Sequence, residues 1–238
     1  MTPEQPDLFG IGAQQEKEEK ETVLDQQTAI PLPAEKPRER FFLPGLTEET
    51  AWPEVRKLAE LHDIAAECTL CRLRSTCTQV VFGEGPENSR LMLIGEGPGR
   101  DEDIQGRPFV GRAGQLLEKI LQAAEIDRTE VYITNVVKCR PPDNRLPDQE
   151  EAKTCQKYLL EQIRLINPEI IVCLGAMATQ TVVDPQARIS KVRGIWLNRA
   201  GIKIMPTFHP AALLRNPQYK RPVWEDFKLI RDEYVAGK

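Results

Sequence analysis

The chain alternates short apolar β-type runs with helical stretches, and that alternation restricts it to very few architectures. Four runs read as strands: Leu91–Ile94, Val131–Thr134, Ile170–Leu174 and Ile202–Met205. The first and third are almost continuously apolar, as expected of parallel strands covered on both faces. Helical patterns separate or follow them at Gly114–Glu125, Asp148–Ile166, Met177–Val183 and Pro222–Tyr234. A further helix is expected over Thr47–Glu67, with Thr47 as N-cap and Glu48 and Glu49 in its first turn. This order predicts an α/β fold: a three-layer α/β/α sandwich around a four-stranded parallel sheet.

In an open parallel sheet, ligands bind just beyond the carboxyl ends of the strands. Gly95-Glu96-Gly97-Pro98-Gly99 follows the first run, Asn135 the second, Gly175-Ala176 the third, and Phe208-His209-Pro210 the fourth. A carboxylate, an amide and an imidazole are therefore expected on one rim, where packing alone asks for none of them. The glycines do not make a dinucleotide fingerprint, because Arg100 stands where the third glycine is needed. They do specify a tight loop that a flat ligand can approach closely.

Four cysteines add a second constraint. Cys68 and Cys71 form a C-x2-C pair, while Cys139 and Cys155 come singly and far downstream. A close pair plus two distant singles suits a thiolate cage tying separate segments together, and suits a redox dithiol less well. With no export signal at the acidic, polar N-terminus, the six cysteines are expected as thiols or metal ligands rather than disulfides. Spacing alone leaves zinc and iron–sulfur both open. Cys173, in mid-strand, reads as a core residue. Cys77 reads as a residue packed near the cage, and His62 as an ordinary surface or capping residue.

The motifs GEGPG, GRPFVGRAGQLL at 106–117, TNVVKCRPP at 134–142 and HPAALLRNP at 209–217, with the cysteine pattern, resemble the family 4, iron–sulfur-containing uracil-DNA glycosylases. The resemblance runs from about Cys68 to Ile230. It implies excision of uracil from DNA by hydrolysis of its N-glycosidic bond, leaving an abasic site, with no lyase step. It implies a [4Fe–4S] cluster on Cys68, Cys71, Cys139 and Cys155. It implies that Phe109 stacks on uracil, that Gly95 and Gly97 shape the pocket, and that Asn135 reads the base edge. His209 is expected to hydrogen-bond O2, and Glu96 is the candidate to position water or stabilise the sugar cation. Leu213-Leu214-Arg215 matches the segment that enters DNA. Arg107, Arg112, Lys138, Arg140, Arg145, Arg215 and Arg221 are candidate phosphate contacts, and Asp101 and Asp103 read as loop charges. A related glycosylase that forms a covalent adduct carries a histidine loop after the second strand. Here that place holds CRPPDNRLPD, without histidine. A non-catalytic nucleic-acid-binding protein is the other alternative, opposed by the intact Glu96, Asn135 and His209.

The net charge of −4 argues at first against a nucleic-acid partner. Residues 1–40 hold five Lys/Arg and nine Asp/Glu; of 32 and 36 in all, that leaves 27 of each in the remainder. The remainder is neutral and free to carry a local basic face. Residues 1–45 read as a disordered acidic tail and 46–238 as the catalytic domain. Within the tail, Gln5-Pro6-Asp7-Leu8-Phe9 resembles the bacterial sliding-clamp-binding pentapeptide. No apolar run approaches the roughly 20 residues that span a bilayer, and the resemblance implies a cytoplasmic, nucleoid-associated monomer.

Overall fold

The structure, a computed structural model, describes residues 41–46 and 54–237. The tail pentapeptide and the Thr47 cap lie outside the described residues. Five strands form one sheet in the order β2-β1-β3-β5-β4. β1 (Leu91–Gly95), β2 (Tyr132–Asn135), β3 (Ile170–Leu174) and β5 (Ile202–Thr207) are mutually parallel, as the sequence predicts. The fifth strand, β4 (Leu197–Arg199), is a correction to the four-stranded expectation. It pairs antiparallel with β5 and so forms the edge of the sheet, with Leu197 opposite Ile204. Its hairpin turn is Ala200-Gly201, both at positive φ (50° and 79°). Such turns usually announce themselves by Asn-Gly or Asp-Gly, and a three-residue, half-exposed strand has no apolar run to betray it.

Helices cover both faces of the sheet. Met92, Ile94, Ile171 and Cys173 point into one apolar layer, and Leu91, Leu93, Val172 and Leu174 into the other. This period-two division, with both halves apolar, is why β1 and β3 read as unbroken apolar runs. The first layer is roofed by α1 (Leu58–Ala66), α4 (Gln149–Ile166) and α5 (Ala176–Val182). The second is closed by α3 (Arg112–Ala123), α7 (Pro210–Arg215) and α8 (Lys220–Ala236). The short helices α2 (Arg100–Gln105) and α6 (Ile189–Val192) lie in the connections. Burial holds the Cys173 thiol protonated far above its ordinary range, consistent with a core role.

Two boundaries differ from expectation. Among the described residues the first helix is helical only from Leu58, and Glu54–Lys57 precede it without helical structure. The folded body also reaches back to Phe41: Leu43 is buried, Phe41 and Phe42 pack on the core, and the Pro44 carbonyl accepts from Gln156 Nε2 at 3.1 Å. The large apolar residues that follow the polar segment thus belong to the folded body. No described helix is long and apolar enough to cross a membrane.

Candidate active site

The register of the parallel strands assembles the site. Gly95 ends β1 directly beside Asn135, which ends β2. Val136 and Val137 then donate backbone hydrogen bonds to the Gly95 and Glu96 carbonyls (2.9 and 3.1 Å), so the two strand extensions run on together. A side chain at Gly95 would put its Cβ 2.4 Å from Asn135 Oδ1 and 2.6 Å from Phe109 Cζ. At Gly97 it would lie 2.7 Å from Val137 Cγ2. Both glycines are required by close approach. A cavity of about 300 Å³ opens here, and its lining includes Glu96, Gly97, Phe109, Asn135, His209 and Arg215. The residues expected on one rim are therefore brought together.

Asn135 is almost fully buried, and its Oδ1 is the one buried side-chain polar atom among the described residues that lacks a hydrogen-bond partner. A buried acceptor left unpaired costs about 1–3 kcal/mol. Phe109 faces it with φ of 53°, a left-handed backbone that a bulky side chain rarely adopts. Its surroundings hold it there. Glu102 Oε1 accepts from the amides of Val110 and Gly111 (3.0 and 2.8 Å), while Arg128 Nη2 donates to the Pro108 carbonyl at 2.8 Å. Behind it, a Cβ on Gly114 would fall 2.0 Å from the Phe109 carbonyl carbon. Strain maintained by so many contacts marks a position where geometry matters more than local stability.

His209 caps α7, its Nδ1 accepting from the Ala211 amide at 3.1 Å. That bond assigns the remaining proton to Nε2 and leaves it as a donor. Burial, aided by the Arg215 charge, lowers the imidazolium pKa to about 4, so the ring is neutral near pH 7. Its ring lies 5.5 Å from that of Phe109, tilted by 31°. Burial raises the Glu96 carboxyl pKa, and the Arg215 charge opposes the rise.

Several expected residues land elsewhere. Leu213 packs into the core at 1% exposure, whereas Leu214 is 42% exposed. Consecutive residues on a helix cannot face the same way, so Leu213 is corrected from a DNA contact to a core residue. Lys138 is corrected likewise. At 2% exposure it has no access to phosphate, and its Nζ donates to Thr134 Oγ1, the Asn135 carbonyl and Gln162 Oε1 (2.7, 2.6 and 2.6 Å). Burial among neutral acceptors brings its pKa down to about 7. Asp103 is no solvated loop charge: it is buried and accepts from the Thr78 amide and hydroxyl, both at 2.8 Å. Arg107 and Arg145 are engaged by Glu84 and Glu151.

Glu102 escaped the sequence reading. Its Oε2 accepts from the Gly99 amide at 3.1 Å while its Oε1 holds the Phe109 loop, so one carboxylate joins both walls of the pocket. A Glu three residues after a Gly that opens a helix is the available signal.

Cys68, Cys71, Cys139 and Cys155 line a second, small cavity with Lys138 and Tyr158; the fifth nearby thiol, Cys77, does not line it. None of the six cysteines is in a disulfide. Burial and the neighbouring sulfurs raise the Cys139 thiol strongly, and burial raises Cys155 to about 11. Left to themselves these groups are neutral thiols; as thiolates they need positive charge in the cavity.

A family model described as the uracil DNA glycosylase superfamily matches residues 82–228. A type-4 uracil-DNA glycosylase of Thermotoga maritima is 50% identical over 179 residues, which cover 71% of this chain and 92% of that protein. One from Archaeoglobus fulgidus is 43% identical over 192 residues, covering 76% and 96%. A type-5 uracil-DNA glycosylase of Pyrobaculum aerophilum is 31% identical over 146 residues, covering 54% and 64%.

Proposed function

The chain belongs to the type-4 branch of the uracil DNA glycosylase superfamily, and on that premise we propose that it hydrolyses the N-glycosidic bond of uracil in DNA, leaving an abasic site for repair. The observation that carries this reading is the orphaned Asn135 Oδ1 at the wall of the cavity. Uracil presents N3–H beside O4, a donor next to an acceptor, and an amide answers both at once. Cytosine presents the reverse and would leave buried groups unpaired. The base reaches such a pocket only when it is extruded from the stack, where the Phe109 ring offers it a face.

Cleavage sends the bonding electron pair from the C1′–N1 bond onto the base, where O2 shares the negative charge, and leaves positive character on the sugar. The neutral His209 offers Nε2–H to O2, and a donor placed in advance strengthens as that charge develops. Water then adds to C1′ and gives up a proton to solvent, and the departing uracil anion takes one up, which balances the hydrolysis. Glu96, at the cavity wall and beside the Arg215 charge, is our candidate to orient that water and, as its carboxylate, to offset the sugar charge. No amine attacks C1′. Lys138 has the lowered pKa of a Schiff-base lysine, yet it is buried, satisfied by three acceptors, and lines the cysteine cavity instead of the base pocket. Leu214 and Arg215 are proposed as the DNA-entering pair.

The donor set fits a [4Fe–4S] cluster on Cys68, Cys71, Cys139 and Cys155. All four cysteines line one small cavity, as a thiolate-held cluster requires, and the type-4 relationship favours iron–sulfur over zinc. A cluster would supply the charge that keeps the thiolates ionised, and its role is structural. The tail residues Gln5, Asp7, Leu8 and Phe9 are proposed to dock on a bacterial sliding clamp as a monomeric enzyme's tether. Deleting residues 1–12 should abolish capture by the clamp without slowing excision; unchanged capture sinks that part. The main reading is tested by incubating purified protein with a uracil-containing oligonucleotide, then cleaving abasic sites with alkali. Scission confined to the uracil position is expected, and its absence with folded protein refutes the reading.

A further inference from the structure

Eight large apolar side chains stand exposed among the described residues, and Leu146, at 66%, is the most exposed of them. It is also the one of the eight that lines the base-sized cavity. A singly exposed leucine is ordinary on any surface. This one is fixed in place. Its loop leaves Cys139 and ends at the cap of α4, with Pro141, Pro142 and Pro147 restricting the backbone and Asp143 and Asn144 both at φ of 54°. Arg145 Nη1 donates to the Leu146 carbonyl at 2.8 Å, and the same guanidinium grips both oxygens of the buried Glu151 (2.8 and 2.7 Å). Glu151 Oε1 also accepts from Arg72 Nε at 2.8 Å, one residue after Cys71. A loop whose backbone is restrained in this way loses little main-chain entropy when its apolar side chain is covered.

The geometry points to Leu146 as a second duplex-engaging residue, separate from Leu214, that fills the space beside the extruded uracil nucleotide and keeps the base stack open. The inference rests on the uracil-excision reading of the same pocket. The partner it fits is stacked DNA: an apolar wedge answers base faces. Charge on the same rim answers phosphate, with Arg140 held by Asn144 Oδ1 at 2.7 Å and Arg215 exposed on α7. Glu151 is the positioning residue, tying the loop to the segment that carries Cys71.

Flipping from a duplex must unstack and unpair the base, a requirement that a single strand largely lacks. The ratio of kcat/KM on a U·G duplex to that on the single strand therefore reports the wedge. Leu146→Ala is expected to lower this ratio about tenfold, the effect of one lost apolar contact of this size. Leu146→Met should restore most of it, and Glu151→Gln should lower it with iron content retained. A ratio unmoved by Leu146→Ala, or an equal loss on both substrates, overturns the inference. Should the wild-type protein excise uracil from neither substrate, the excision reading fails by itself. 2-Aminopurine beside the uracil then still decides the wedge, because equal fluorescence on binding wild-type and Leu146→Ala protein overturns it.

Discussion

Asn135 and Cys139 lie four residues apart on one extension of β2, yet each faces a different cavity, and the two cavities are unfinished in different ways. The base pocket keeps one buried acceptor without a donor and one strained aromatic residue. The cysteine cavity keeps thiols that burial holds neutral. Between them Lys138, equally buried, is satisfied by three oxygens. The contrast separates scaffold from site. A buried polar group that closes its own hydrogen bonds serves the fold. One left open at a cavity wall, at a cost of about 1–3 kcal/mol, is waiting for a ligand.

The sharpest way to break this comparison is on the pocket side. His209→Ala should lower kcat about 10²–10³-fold, the usual penalty for one lost oxyanion donor, with KM nearly unchanged in steady-state assays. A proportionate rise in KM would place the residue in ground-state binding instead. Asn135→Ala comes next: about 10–100-fold in kcat/KM for the missing base contacts, without the drop in Tm usual for a buried truncation, because the lost oxygen had no partner. A large fall in Tm would mean that Asn135 belongs to the scaffold after all.

On the cysteine side, Cys155→Ala should remove the iron absorbance and lower Tm, with a smaller loss of activity in whatever protein remains folded. Retained iron would discard Cys155 as a ligand. The smallest expected effect concerns pH. His209 has its folded pKa lowered to about 4 from an ordinary 6.5. The unfolded chain therefore binds the extra proton in that window, and the stability it contributes is present above about 6.5 and lost as pH falls toward 4. His209→Ala should flatten that part of the stability curve. The acidic limb of kcat/KM should instead follow Glu96, whose pKa is raised, so Glu96→Gln should flatten the limb in the activity that remains. A limb unchanged by Glu96→Gln would assign it to another group.

Much of this was legible in the chain itself. Apolar runs and helical periods determined the three layers and the four parallel strands, most plainly for β1 and β3, where burial on both faces leaves no polar position. Position after each strand placed Glu96, Asn135 and His209 on one rim, because parallel strands bring their carboxyl ends together. The cysteine spacing brought forward a shared cage. Tertiary structure alone decided the rest. β4 exists through a turn with Ala200 at positive φ, which local residue preference argues against. Leu213 and Leu214 are adjacent in a motif, but the helix sends one into the core and leaves the other in water. Lys138 read as a surface cation because sequence records charge and not burial. Glu102 and Glu151 each join segments through side-chain bonds, and Arg72 and Glu151 are 79 residues apart. Such bonds follow from three-dimensional distance, which neither composition nor period encodes.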